Sequence, residues 1–299
     1  MPDPAGASGG KLTARGAVLS VAGAALLWSS GGLLIKLAPM PPLAVAGGRS
    51  LVAFLFYLVV LRPNLRAARW ATAAGYAGCI ITFVLATRMT TAANAIFLQY
   101  SAPAWVLLLS PKLLGERLRR IDLISVALSL AGMSLFFVGK VEAGAVLGNV
   151  LGVVSGVFFA LTILFLRRDA RGGKGDAVPS TALGNLLAAL VTLPFAAGAF
   201  SSLTLPGAGA LLYLGVVQLG CGYLLFARGV RRVPAAEASL ISMLEPVLNP
   251  VWVLLGTGER PGPWALLGGA IVIGSVVLRA AAGPEGGPEG GPAGGPEGK

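Results

Sequence analysis

The chain has 299 residues, 56% of them hydrophobic and only 12% charged, too little polar surface to coat a water-soluble domain, so it reads as an integral membrane protein. Histidine is absent and the two cysteines, Cys79 and Cys221, stand apart in apolar runs, so no zinc, haem or disulfide framework is expected, and no cofactor. The net charge of +11 is scattered in short clusters between apolar runs, the pattern of membrane loops and not of one solvated basic face, which excludes nucleic acid as a partner.

Residues 1–14 are small, polar and rich in Gly and Pro, and are expected to form a disordered lead-in. The apolar run after Lys11 and Arg15 continues to Ile35, too long for a signal-peptide core and without a cleavage pattern, so it is read as a retained first span. About 20 helical residues cross a bilayer. On that criterion ten spans are predicted, at 15–36, 42–61, 68–88, 91–110, 120–139, 147–167, 179–200, 207–228, 234–255 and 262–280. Short connections leave little extramembrane domain, and the Gly/Pro/Glu tail at 281–299 is expected to be disordered.

Two stretches match without gaps. Thr90–Arg117 aligns with Val233–Arg260 at a constant interval of 143 positions, and Ala92, Ala93, Ala95, Pro103, Gly115, Glu116 and Arg117 recur as Ala235, Ala236, Ala238, Pro246, Gly258, Glu259 and Arg260. This is an internal duplication. With a cytoplasmic N-terminus, 18 Lys and Arg fall on the cytoplasmic side and four on the other, Arg49 lying inside a span. That bias puts both termini in the cytoplasm. Five spans per half make the second half enter from the opposite side, so the fold expected is all-α, ten transmembrane helices as two inverted five-helix repeats.

Polar groups at membrane depth normally face a partner helix or a wet cavity. Arg49 is the costliest, at about +2.5 to +3.5 kcal/mol for a central Arg. Either its planar fork binds a substrate carboxylate, or it snorkels or pairs with a carbonyl. Ser242, Glu245, Asn249 and Trp252 follow at i, i+3, i+7 and i+10, which places them on one face of a continuous helix. Pro246 and Pro250, like Pro103 in the fourth span, lack the N–H that a helix uses and are expected to kink it, freeing carbonyls at Ser242, Pro246 and Gln99. Glu245 and Glu237 either take up protons, which are then a second partner, or are held neutral by hydrogen bonds. Trp28, Ser29 and Ser30, Tyr76, Asn94, Gln99, Tyr100, Thr162, Gln218 and Tyr223 complete a candidate amphipathic cavity. Gly148, Gly152 and Gly156 form a helix-packing stripe. Glu116 and Arg117, with Glu259 and Arg260, are read as pairing or capping helix ends. No His/Cys/Asp constellation suggests an enzyme, and no ring-like filter suggests a channel.

The Pro followed after eleven residues by Gly-Glu-Arg in both copies, the Glu245-Pro246 pair, Trp28-Ser29 and Arg49 resemble the drug/metabolite transporter superfamily, specifically its ten-span family built from two EamA domains. The resemblance covers residues 15–280. It implies a first EamA-type repeat at 15–140 and a second at 141–280, without enzymatic activity. It further implies a monomeric exporter of small metabolites, amino acids among them, in a bacterial inner membrane, surrounded by lipid, with a cavity between the halves that opens alternately to each side. The chain is also similar to amino-acid exporters that accept aromatic residues. The second copy departs from symmetry, with Thr162 where the first has Ser30 and no counterpart of Trp28. A nucleotide-sugar or phosphate-ester transporter of the same superfamily is the alternative, and would need several basic groups in the cavity where only Arg49 qualifies.

Overall fold

A computed structural model describes residues 13–31, 34, 40–90, 92–136, 138, 146–171, 177–257 and 262–283. The lead-in at 1–12, the tail from 284, and Gly258, Glu259 and Arg260 lie outside them. All regular structure among the described residues is helical. The helices are α1 (Ala14–Ser29), α2 (Pro42–Phe56), α3 (Trp70–Met89), α4 (Ala92–Gln99), α5 (Ala102–Leu114), α6 (Arg120–Phe136), α7 (Val146–Arg171), α8 (Ala177–Thr192), α9 (Leu205–Leu212), α10 (Gly222–Gly229), α11 (Ala235–Ser242), α12 (Leu244–Thr257) and α13 (Pro263–Ala281). A π-helical turn, Tyr57–Leu61, extends α2, and a π-helical stretch, Tyr213–Cys221, joins α9 to α10.

Local chemistry sets the ends. Thr13 caps α1 by accepting from the Gly16 N–H at 3.1 Å, and proline stands in the first turn of α2, α9 and α13, where its missing donor costs nothing. Gly115, at φ 64°, closes α5 in the left-handed conformation that glycine adopts without strain.

Six stretches are long and apolar enough to cross a membrane: Pro42–Leu61, Trp70–Thr87, Val146–Arg171, Ala177–Phe195, Leu205–Gly229 and Pro263–Ala281. Of the other predicted spans, α1 has 16 residues and α6 has 17. The fourth and ninth are not kinked single helices but broken ones, α4/α5 at Tyr100–Ser101 and α11/α12 at Met243. Pro103 and Pro246 supply the reason, since neither can donate to the carbonyl four residues back, at Gln99 and Ser242. The chain tightens instead, with Ser101 N bonding Leu98 O and Met243 N bonding Leu240 O, at 3.1 and 3.0 Å. Pro103 thereby becomes a helix starter in the first turn of α5, and only Pro250 remains inside α12. The two breaks occupy corresponding positions of the duplicated stretches, 143 residues apart.

The helices pack in matched pairs. α3 lies along α7, and α10 along α1; α4 and α5 rest on α7, and α11 and α12 on α1; α2 packs on α8, and α6 on α13. Small residues allow the closest approaches. A Cβ at Gly148 would come within 2.5 Å of the Met89 backbone, one at Gly152 within 2.9 Å of Leu98, and one at Gly156 within 2.9 Å of the Gln99 carbonyl oxygen. The stripe on α7 thus holds the end of α3 and the break in the fourth span, so the Gln99 carbonyl abuts α7. Gly148→Ala is expected to cost about 1–3 kcal/mol, because the atoms it meets are backbone. Gly198→Ala, which meets nothing within 4 Å, should stay within about 0.5 kcal/mol; denaturant unfolding in detergent reads both.

The outer surface is apolar, with Leu205, Phe195, Val146, Leu255 and Leu19 each at least 70% exposed. Large apolar side chains distributed this way suit lipid and not water. The core runs inward from α1, α3, α5, α7 and α10, and the candidate site lies inside it.

Candidate substrate-binding site

Arg49 rides on the most deeply embedded part of α2, where Ala44 through Ser50 are all buried. Gly47 and Gly48 make this possible, since a Cβ at either would press on Thr192 and Leu193 or on Leu211. The guanidinium is 5% exposed and does not snorkel. Its Nη1 donates to Gln218 Oε1 at 3.2 Å, and Gln218 Nε2 donates to the Trp28 carbonyl at 3.2 Å. Gln218 comes from the π-helical stretch, whose extra residue per turn re-aims side chains. Its amide occupies the space that a Cβ at Gly31 would need. Arg49 Nε has no hydrogen-bond partner, so a buried donor stays available.

An aromatic wall adjoins this pole. Trp28 packs on Tyr223 at 4.8 Å, on Phe226 at 5.2 Å and edge-on to Phe159 at 6.1 Å between ring centroids. Tyr76 meets Tyr223 at 4.5 Å, and its hydroxyl donates to Asn185 Oδ1 at 3.1 Å. Gly222 admits the indole, whose Nε1 lies 2.5 Å from where a Cβ would be.

The second pole forms at the helix breaks. Tyr100, in the fourth-span break, donates to Glu245 Oε2 at 2.6 Å, and Tyr100 packs on Phe159 at 6.3 Å. Gln99 Nε2 donates to Ser155 Oγ at 2.9 Å and to Cys79 Sγ at 3.5 Å, tying the break to α7 and α3. Trp252 Nε1 donates to Ser29 Oγ at 2.8 Å. Arg49 and Glu245 form no ion pair with each other or with another residue among those described.

Trp28, Arg49, Tyr76, Gln99, Tyr100, Gln218, Tyr223 and Glu245 therefore converge. Other predicted residues do not. Asn94 Nδ2 bonds Asn149 Oδ1 and Thr90 Oγ1, both at 3.0 Å. Ser30 shares a hydrogen bond with the Tyr213 hydroxyl at 3.0 Å. Thr162 folds back on the Phe158 carbonyl at 2.8 Å and is buried against Gly75. Ser242 does the same to Ala238 O at 2.9 Å. Ser242 and Glu245 thus stand on either side of the Met243 break, in α11 and α12. The Asn249 side chain lies outside the described residues.

Glu237 belongs to another group. Arg279, 2% exposed, pairs with Asp122 and, at 3.4 Å, with Glu237 Oε2, joining α6, α11 and α13. Glu116 accepts from Arg167 at 3.0 Å, from Arg171 at 2.9 Å and from the Ala235 N–H at 3.0 Å, so it pairs and also caps α11. Asn185, Ser155, Phe159 and Phe226 are site-lining residues without a sequence signal: one polar or aromatic residue in an apolar helix does not reveal which way it faces.

Comparison with known proteins follows the same line. A family model described as the EamA-like transporter family matches residues 15–138 and again 146–280. An uncharacterized transporter of Archaeoglobus fulgidus is 28% identical over 203 residues, 67% of this chain and 71% of that protein. One of Bacillus subtilis is 28% identical over 273 residues, 86% and 92% of the two chains. A probable terminal-alkyne amino-acid exporter of Streptantibioticus cattleyicolor is 27% identical over 191 residues, 62% and 63%. A solved crystal structure shares the fold, with a TM-score of 0.73 over 90% of this chain and 97% of that one, at 19% identity. With apolar helices of crossing length and a buried amphipathic cluster between them, the chain is a multi-pass membrane transporter and belongs to the EamA-like transporter family.

Proposed function

We propose that the protein exports amino acids or closely related small metabolites across a bacterial inner membrane, as a monomer, by alternating access between two inverted halves, residues 15–140 and 141–280. The observation that carries this reading is a pair of opposite poles, Arg49 with an unpartnered Nε and Glu245 with only Tyr100 as its donor among the described residues, beside an aromatic wall. A zwitterionic amino acid is complementary to that arrangement, its carboxylate to the guanidinium, its ammonium to the carboxylate and its side chain to the rings. Arg49 is the one basic side chain of the cluster, which weighs against phosphate esters there.

The inverted arrangement is supported by packing that repeats when the halves are exchanged: α3 on α7 answers α10 on α1, and α4/α5 on α7 answers α11/α12 on α1. Matching breaks in the fourth and ninth spans fit discontinuous helices at a midplane site. The distribution of Lys and Arg supports termini on the cytoplasmic side, and bacterial relatives support the plasma membrane. A relative named as a probable amino-acid exporter supports the substrate class.

Purified protein in liposomes should catalyse counterflow of at least one labelled amino acid. Gln99→Ala should lower that flux by about 3–10-fold, since the Ser155 hydrogen bond it removes contributes about 0.5–1.5 kcal/mol and the longer Cys79 contact less. Absence of flux across an amino-acid panel, with the protein folded, would contradict the proposal.

A further inference from the structure

A polar cavity lies away from the central cluster, at the end of the bundle where α5 stops and α11 starts. Its volume is about 190 Å³, and its wall includes Ser110, Arg117, Arg171, Arg232 and the first residues of α11. Ser110 lies eight residues beyond Ala102, the start of α5, about 12 Å along the helix axis at 1.5 Å each. None of the residues of the central cluster lines it.

The charge balance of this wall is uneven. Five arginines line it against two carboxylates. Both carboxylates are already engaged, Glu116 by Arg167, Arg171 and the α11 N-terminus, and Asp122 by Arg279. Arg117 and Arg232 have no ion-pair partner among the described residues, and both are exposed enough to turn into the cavity. At its inner side Ser110, 0% exposed, carries a hydroxyl with no hydrogen-bond partner. A buried hydroxyl left unpaired costs free energy unless something meets it. The α11 N-terminus opens on the same wall, with its Ala235 N–H already donating to Glu116.

We propose that this cavity binds a phosphate group, with Arg117 and Arg232 as its charged clamp and the Ser110 hydroxyl donating to an oxygen at its inner side. Guanidinium forks match phosphate oxygens two at a time. Two sources share that chemistry, the headgroup of an anionic phospholipid and a free inorganic or esterified phosphate. The site stands independently of the substrate assigned to the central cluster.

The test uses binding and not transport. Full-length protein, delipidated in a neutral detergent, is titrated with inorganic phosphate by calorimetry. In parallel it is reconstituted in phosphatidylcholine nanodiscs with and without phosphatidylglycerol, and retained lipid is read by native mass spectrometry. One of the two probes should bind at a single site, and Arg117→Gln/Arg232→Gln should weaken it by about tenfold or more, as expected for losing two charge-assisted contacts. Ser110→Ala should weaken it less, and an Arg66→Gln/Arg69→Gln control on exposed arginines elsewhere should leave it unchanged. Saturable phosphate binding identifies a free ion, and retention of phosphatidylglycerol alone identifies a lipid headgroup. Binding of neither probe, equal binding by the Arg117/Arg232 variant, or equal loss in the control overturns the site.

Discussion

Glu245→Gln is expected to reduce amino-acid flux in proteoliposomes about 10- to 100-fold while the protein keeps its fold. The substitution preserves shape, and the amide oxygen still accepts from the Tyr100 hydroxyl now 2.6 Å from Glu245 Oε2. What it removes is the negative pole. A hydrogen bond to a charged group contributes about 1.5–3 kcal/mol, and 1.4 kcal/mol is a factor of ten in affinity, which sets the range. Thermal unfolding in detergent should shift little, because no salt bridge involves Glu245 among the described residues. Flux at the wild-type rate in a folded Glu245→Gln protein would remove this residue from the substrate site.

The largest loss of stability is expected from Asp122→Ala. Arg279 is all but inaccessible and its guanidinium lies between Asp122 and Glu237. Removing Asp122 leaves a buried cation with a single carboxylate at 3.4 Å. Breaking a buried pair from one side costs about 3–5 kcal/mol. The residual Glu237 contact and the Gly283 carbonyl, which accepts from Arg279 at 3.3 Å, argue for the lower end, about 3 kcal/mol. The double variant Asp122→Ala/Arg279→Met should recover only part of the loss, since an apolar side chain of similar length needs no counter-charge but Glu237 is then left without its cation. Unfolding midpoints of the wild type, both single variants and the double variant form the cycle that measures it. Equal midpoints for wild type and Asp122→Ala would show the triad to be energetically idle.

Much of this architecture is readable from residue pattern, and the exceptions have physical causes. Repetition of Pro103 as Pro246 marks the fourth and ninth spans, but a missing N–H specifies only a lost bond. Whether the helix bends or parts depends on what packs at the gap, here Gly156 of α7. In the ninth span the parting leaves Ser242 in α11 and Glu245 in α12. Arg49, Gln218 and Trp28 are recognisable because a charge, an amide and an indole are costly in lipid. Their linkage, across 169 and 190 positions, is not encoded in local spacing. The same holds for Asp122 and Arg279, which stand at helix ends where charges are commonplace, and for Asn185, a lone amide in an apolar helix. Periodicity identifies which segments are helices; it does not assign faces when both sides of a helix are apolar.

Two opposed charges reading the two ends of one zwitterion is the claim on which the functional account depends. Equilibrium binding of a transported amino acid, its carboxamide and its N-acetyl derivative to purified wild type, Arg49→Gln and Glu245→Gln tests it most directly. Wild type should bind the parent at least about tenfold more tightly than either derivative, Arg49→Gln should lose discrimination against the carboxamide only, and Glu245→Gln against the N-acetyl form only. Wild-type protein that binds all three ligands alike, or variants that keep both preferences, would contradict it.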